Sequence, residues 1–556
     1  MSPHTLKKRK ELGAYYTPRD LSQTLTDWAI RTPLDKVLEP SFGGCGFLES
    51  IVDSLHQVGC KCPLENTFGA DIDIQAFSFL LEKIGNTRKA YKRHFLHSDF
   101  LKITPRDFSS TAFDVVIGNP PYVSIHNMSE EQKTACFDIL KKSQFSTNTI
   151  GRNASLWGFF ILHSLSFLKE KGRVAWVLPS SLLHADYAKE ILNIYKNHFL
   201  SVKIIKLYER FFQGAGADEV SVILLAEGFS KEKNKNETPL NYFVSDNADS
   251  LKKCIKNTST NIDGDNYKYG LIDGNCLKIY HSMKESIHSE TFNDIAKISI
   301  GMVTGHNKTF IINNDIAHKN QLSPNDLKFV ASRLSQLNGI VHDKERHEEI
   351  LNSGQRGLLV CPADISNKGS PVRNYLSSVD RRLRKNNKTF PKRKFWFYPD
   401  DHLYPDAFLS YMVHKEPRMV INTAGINCTN SIHRVFFKPH FSVDEQKAIA
   451  CSMYSSFTQL SCELEGRAYG SGVLKLEPTP AKKISIITDK KVLNRLIQKI
   501  DIIDGFIRAN KSELAVSLVD SIISEELEVP LSDIYTLSQA VINLRLERYK
   551  GLTKTI

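Results

Sequence analysis

Phe113-Asp114-Val115-Val116-Ile117-Gly118-Asn119-Pro120-Pro121-Tyr122 is the stretch on which the fold of this chain turns. Its first six residues are largely apolar and rich in β-branched side chains, the pattern of a buried strand. Two successive prolines cannot donate to a ladder or enter a helix, so the strand stops at Asn119. An amide and a phenol are therefore mounted on a short, stiff turn at the carboxyl end of a strand. In open α/β sheets that edge is where ligands sit.

Such a turn suits transfer to an exocyclic amine. The Asn119 oxygen and the Pro120 carbonyl can both accept from an NH2 group, drawing its lone pair out of conjugation. Tyr122 offers a face on which a flat base can stack, worth roughly 1–3 kcal/mol. The plain alternative is a structural proline turn that closes a core strand, and the neighbouring segments separate the two.

Upstream, Val37-Leu38 reads as a short strand followed by Glu39-Pro40-Ser41-Phe42-Gly43-Gly44-Cys45-Gly46 and a helix from Phe47 to about Leu55. Strand, glycine loop and helix form the nucleotide-binding opening of a Rossmann-like sheet. Neither G-x-G-x-x-G nor the Gly-Lys-Ser/Thr ending of a P-loop is present, and a strand ending in Glu-Pro suits a cation better than a phosphate. Thr67–Ala70 is a second strand ending in Asp71-Ile72-Asp73, where an acid is placed to accept ribose hydroxyls. A third strand around Phe95-Leu96 ends at Asp99-Phe100, an acceptor beside a ring. Before all of these, Thr17 reads as an N-cap and Pro18 as the first residue of a helix with Asp20 in its first turn.

Downstream, residues 129–155 are polar and expected to be irregular. A helix is expected from about Leu156 to Lys169, then a strand Arg173–Leu178. Val202–Leu207 and Glu219–Leu225 are expected to pair as an antiparallel hairpin at the sheet edge, with Phe211-Phe212 in the glycine-containing loop between them. Lys231–Pro239 (KEKNKNETP) reads as a linker or exposed loop. Between Arg356 and Lys394 stand eleven Lys or Arg against two Asp or Glu. Arg381, Arg382, Arg384, Lys385, Lys388, Lys392, Arg393 and Lys394 are interleaved there with Phe390, Phe395 and Trp396, a pattern that fits phosphate contact as well as a solvated face. After Lys490, Leu493, Leu496, Ile500 and Ile503 recur at helical spacing.

A chain of 556 residues implies more than one domain. Apolar content of 41% and charged content of 24% are ordinary for a globular protein. The balance of 73 basic and 61 acidic residues gives +12 and favours a polyanionic partner. No apolar run is long enough to span a membrane, and no signal peptide is expected. Ten cysteines without a C-x-x-C pair point to reduced thiols and to no metal site.

In order, Gly13-Ala14-Tyr15-Tyr16-Thr17-Pro18, Leu38–Gly46, Asp71-Ile72-Asp73, Asp99-Phe100 and Asn119-Pro120-Pro121-Tyr122 resemble the gamma class of N6-adenine DNA methyltransferases, of the TaqI and Eco57I-like type. Gly301–Phe310, Asn430–His433 and Gly466–Lys475 resemble segments of that type's target-recognition domain. The resemblance implies an α/β, Rossmann-like, doubly wound and mostly parallel sheet over residues 1–240, binding S-adenosylmethionine. An α+β target-recognition domain with C-terminal helices would follow over 241–556. By the same resemblance Tyr15, Thr17, Pro18, Glu39, Ser41, Gly43, Gly46 and Asn119 line the cofactor, Asp71 holds its ribose, and Asp99 and Phe100 hold its adenine. Asn119, Pro120, Pro121 and Tyr122 form the catalytic turn, and Phe212 stacks on the flipped base opposite Tyr122. The expected activity is site-specific, adenine-specific methylation of double-stranded DNA, beside a separately acting restriction endonuclease. A monomer in the cytoplasm of a bacterium or archaeon is expected. About ten residues precede the first motif, so no fused nuclease is expected. An RNA or protein-glutamine methyltransferase, or a non-catalytic DNA-binding subunit retaining the fold, are the alternatives.

Overall fold

A computed structural model describes residues 17–84, 93–145, 154–183, 185–207, 221–245, 247–257, 267–362, 364–468 and 472–549. Tyr15, Phe211 and Phe212 lie outside the described residues. The chain divides into two compact units, Met1–Leu271 and Ile272–Ile556.

The first unit is built on an eight-stranded sheet: β1 (Val37–Glu39), β2 (Thr67–Asp71), β3 (Phe95–His97), β4 (Phe113–Gly118), β5 (Leu168–Pro179), β6 (Ser201–Leu207), β7 (Ser221–Glu227) and β8 (Leu240–Ser245). Their order across the sheet is β3-β2-β1-β4-β5-β7-β6-β8. β1 to β5 are parallel, so the loops after β1, β2, β3 and β4 open on one edge. β7 runs antiparallel between β5 and β6.

The apolar run at β4 has a two-sided cause. Val116 packs in the core on one face with Leu38, Phe68 and Trp176. Val115 and Ile117 pack on the other with Val37, Ala175 and Val177. A strand covered on both faces shows no alternation of apolar and polar residues. Each fully buried valine or isoleucine there contributes about 1.5–3 kcal/mol, so a charged residue at Val116 would break the sheet at its centre.

Helices α1 (Arg19–Ala29), α2 (Gly46–Gln57), α3 (Ile74–Ile84), α4 (Glu130–Lys142) and α5 (Leu156–Ser164) follow the same logic of local signals, with corrections to the sequence reading. α4 occupies part of the stretch expected to be irregular; a reciprocal capping box between Ser129 and Gln132 starts it. α5 ends earlier than expected because residues 165–167 tighten into a 3-10 turn and Leu168 already pairs with Phe113 in β5. The β6–β7 pair is antiparallel as expected but is not the edge, since β8 pairs in parallel outside β6. Residues 231–239 are an exposed loop joining β7 to β8 within this one sheet, not a link between domains.

The second unit carries a five-stranded sheet in the order Ala296–Ile300, Ile432–Phe437, Ala407–Ser410, Met419–Asn422, Val341–His342. A four-stranded sheet runs Ile311–Ile312, Leu358–Val360, Leu327–Ala331, Asn427–Cys428. Four helices, Lys490–Ile497, Ile500–Arg508, Ser512–Leu527 and Leu531–Tyr549, follow, with Leu493, Leu496 and Ile503 buried. His342 and His347 form a buried pair, His342 Nε2 lying 3.1 Å from His347 Nδ1 and His347 Nε2 2.9 Å from the Gly357 carbonyl. Among the described residues no helix is long and apolar enough to cross a membrane.

Candidate active site

The turn after β4 is fixed through the segment that precedes α1. Pro18, not Thr17, occupies the N-cap of α1, and the helix begins at Arg19. Thr17 makes no cap; its Oγ1 accepts a hydrogen bond from Asn119 Nδ2 at 3.2 Å. Ser41 Oγ, from the loop after the neighbouring strand β1, donates to the Asn119 carbonyl at 3.3 Å. The Tyr122 hydroxyl donates to the Val177 carbonyl at 3.1 Å, and the Leu156 amide donates to the Val123 carbonyl at 2.8 Å. Pro120 is buried, while Asn119, Pro121 and Tyr122 are half-buried. An amide and a phenol ring thus stand at the sheet edge on a braced turn.

The glycine loop closes against β2. Gly43 adopts φ +44° and Cys45 φ +64°, left-handed backbone that turns the chain sharply into α2. The Gly43 amide donates to Asp71 Oδ2 at 2.8 Å, and the Asp73 amide to Asp71 Oδ1 at 2.8 Å. Asp71 therefore binds the loop from the end of β2 while remaining an acceptor. At Gly46 a side chain would meet the Thr17 carbonyl at 3.5 Å, so loop and pre-α1 segment approach each other closely at this point.

Two carboxyl groups lie buried beneath this loop. Glu39, at the end of β1, is 2% exposed, and its Oε2 has no hydrogen-bond partner among the described residues. Burial, reinforced by the Asp71 charge, pushes its carboxyl well above the usual carboxylate range. Burial also raises Asp71, against the two amides that favour its charged form. Burial thus favours the neutral form of both acids, and an incoming cation would favour the charged form.

Asp99 caps the short turn after β3, its Oδ1 accepting from the Leu101 amide at 3.0 Å. Phe100 is 2% exposed and packs against Phe160, His163 and Phe167, inside the core. At the same sheet edge Ile72, 58% exposed between Asp71 and Asp73, presents apolar surface, as does Ile74, 54% exposed. The sequence reading gives Ile72 no role. Its signal is an isoleucine flanked by two acids, where a solvated strand end would carry polar residues only.

In the second unit the basic cluster separates into two groups. Arg381, Arg382, Lys385, Lys388, Lys392 and Lys394 are exposed. Arg393 donates to the Thr304 carbonyl at 3.0 Å and also to that of Val303, holding a loop of its own unit. The Arg384 guanidinium lies 5.2 Å from the centre of the Trp396 ring.

A parallel sheet with one antiparallel strand inserted between β5 and β6, a glycine loop after β1 and acids at the ends of β2 and β3 define a class I methyltransferase fold. Residues 55–212 match the Eco57I restriction-modification methylase family, and residues 265–524 match the C-terminal domain of type II methyltransferase M.Eco57I. The chain belongs to the Eco57I-like restriction-modification methylases. It is similar to type II methyltransferase M.AccI of Acinetobacter calcoaceticus, 23% identical over 86% of this chain and 86% of that protein. It is also similar to type II methyltransferase M.BstVI of Geobacillus stearothermophilus, 21% identical over 95% of this chain and 98% of that protein. The solved structure of the type IIL restriction-modification enzyme MmeI in complex with DNA shares the fold, with a TM-score of 0.57 and 12% identity over 98% of this chain and 80% of that one.

Proposed function

We propose that the protein transfers a methyl group from S-adenosylmethionine to N6 of adenine in double-stranded DNA, as the modification enzyme of a type II restriction-modification system. The observation that carries this reading is the Asn119 amide, oriented by Thr17 at the end of β4 beside the anchored ring of Tyr122.

The residues present fit the cofactor. Glu39 offers a buried acceptor without a partner, suited to a cation. Asp71 would accept from the ribose hydroxyls, Asp99 from the adenine amine, and Ile72 would pack on the adenine ring that Phe100 backs from the core. Tyr15, Thr17, Pro18, Ser41, Gly43 and Gly46 would complete the lining. Bound there, S-adenosylmethionine supplies an electrophilic methyl group on a sulfonium.

The chain itself supplies position and polarity. The target adenine leaves the duplex at a cost of a few kcal/mol. Stacking on Tyr122 returns roughly 1–3 kcal/mol of that, with Phe212 as the facing ring. Asn119 Oδ1 and the Pro120 carbonyl accept the two N6 hydrogens and turn the nitrogen lone pair outward. The first unit carries this chemistry. The second unit selects the site, with Arg381, Arg382, Lys385, Lys388, Lys392 and Lys394 on phosphates. A monomer suffices, and the matching endonuclease is a separate protein.

The test is incubation of purified protein with isotope-labelled S-adenosylmethionine and DNA, followed by nucleoside mass spectrometry. Label in N6-methyl-2′-deoxyadenosine at one sequence context supports the reading; label in another base, in RNA or in protein overturns it.

A further inference from the structure

Away from the sheet edge, the second unit holds a cleft of about 870 Å³ with Asp364, Arg384, Phe395, Trp396, Phe397 and Tyr398 among its walls. That size falls within the ~300–1,000 Å³ of small-ligand sites. Its aromatic wall is rigidly supported. Trp396 contacts Phe310 and Phe390, both buried, at ring-centre distances of 6.2 and 5.4 Å. Phe395 stacks on Phe397 at 5.4 Å and 25°, yet is itself 50% exposed. Just beyond Tyr398 the chain is pinned by Asp400, which accepts from Lys328 Nζ at 2.7 Å, Tyr404 at 2.9 Å and Asn427 at 3.1 Å.

Arg384 stands against this wall. Its guanidinium carbon lies over the Trp396 ring, and its Nε is buried with no hydrogen-bond partner among the described residues. A buried donor left unmet costs about 1–3 kcal/mol, a cost that an incoming acceptor group relieves. One exposed phenylalanine alone would mean little. An exposed ring on a rigid wall, beside a planar cation whose buried Nε lacks an acceptor, is a site for a flat ligand carrying acceptors. Arg381, Arg382, Lys385 and Lys388 are exposed next to it in the chain, so the partner that brings the ligand is a polyanion.

We infer that this cleft seats one nucleotide of the bound DNA, its base against Phe395 and its acceptor atoms on Arg384, and so fixes one position of the recognised sequence. The inference rests on the reading of the protein as a DNA methyltransferase. It gives Arg384 a different task from its neighbours: a guanidinium fixed on a ring discriminates by direction, whereas an exposed one anchors phosphate by charge.

The experiment measures binding of a duplex containing the site at which the protein methylates host DNA, and of a scrambled duplex, over a salt series. Arg384→Lys keeps the charge and loses the fork; Phe395→Ala removes the ring. Each variant should lose roughly 5- to 150-fold on the cognate duplex, the discrimination of one well-placed arginine–base pair. The scrambled duplex and the salt slope should be unchanged. Equal loss on both duplexes, or no loss, overturns the inference. Because Arg384→Lys preserves stem and charge, it decides the matter even where Phe395→Ala fails to fold. Wild-type protein that binds neither duplex overturns the DNA reading, and the cleft's occupant with it. Wild-type binding with unaffected variants overturns the cleft alone.

Discussion

Asn119 Nδ2 donates to Thr17 Oγ1 at 3.2 Å, across 102 residues of sequence. The contact sets which end of the amide serves as donor to the protein and which as acceptor. Asn119→Ala should lower methyl transfer by orders of magnitude, each tenfold being about 1.4 kcal/mol of barrier, with cofactor affinity nearly kept. Thr17→Val should leave the amide in place but unoriented. A net hydrogen bond of about 0.5–1.5 kcal/mol corresponds to a two- to tenfold fall in turnover. Single-turnover rates with labelled cofactor separate the two variants, and normal turnover in Asn119→Ala would remove the amide from the mechanism.

Asp71 both pins the Gly43 amide and faces the proposed ribose position. Asp71→Ala should therefore weaken cofactor binding by calorimetry while affinity for DNA at fixed salt holds. Glu39 adds a pH dependence. Burial and the Asp71 charge push its carboxyl upward and favour its neutral form, and a bound cation stabilises the charged form. Binding then releases a proton, so cofactor affinity should rise as pH rises toward the raised value. Calorimetry in buffers of different ionisation enthalpy reads that proton directly. Zero release would separate Glu39 from the cation.

The two groups within the basic cluster should part experimentally. Arg381→Ala with Arg382→Ala should weaken cognate and scrambled duplexes alike. The plot of log affinity against log salt should flatten by about 0.9 for each phosphate that is no longer neutralised. Arg393→Ala should act on stability instead, because its guanidinium holds the Val303 and Thr304 carbonyls. Those bonds are worth roughly 1–3 kcal/mol, and their removal would appear in denaturant melts. A changed salt slope with unchanged stability in Arg393→Ala would reverse the assignment.

Burial, then the charge of His347, pushes the His342 imidazole down to about 4. Its unfolded value is near 6.5, so between these pH values the unfolded chain binds a proton that the folded one refuses. The stabilisation is complete above pH 6.5 and is lost as pH falls toward 4, a total of about 3 kcal/mol. Asp520, pushed up to about 6 by burial, acts in the opposite sense over roughly the same window. The wild-type profile therefore mixes the two, and the difference between wild type and His342→Asn isolates the histidine. That difference should shrink steadily from pH 7 to 4.5; a constant difference would contradict it.

The elements legible in the sequence are those whose signal is local. The β4 run, the proline stop, the glycine loop and the acids at Asp71 and Asp99 each declare themselves within a few residues. β8 escapes a local reading because Leu240–Ser245 follows a charged loop, and its place outside β6 depends on pairing with a strand more than thirty residues earlier. α4 does carry a local signal, the Ser129-x-x-Gln132 box, which the polar composition of the stretch obscures. Propensity alone makes Thr17 a cap; the distant Asn119 claims its hydroxyl instead. The different fates of Arg381, Arg384 and Arg393 have no sequence signal, because they depend on Trp396 and on the carbonyls of a loop about ninety residues away.

The turn at Asn119–Val123 is moored at four places: Thr17, Ser41, Val177 and Leu156. Leu156 begins a helix whose residues are almost all buried, so the mooring extends into the core of the first unit. A clamp of this kind has no travel. It cannot lean toward a base still paired in the double helix, so the whole excursion falls to the nucleic acid. The turnover clock is then set by how readily the substrate opens: an adenine opposite a mismatch or a gap should be modified faster than the same adenine in an intact pair.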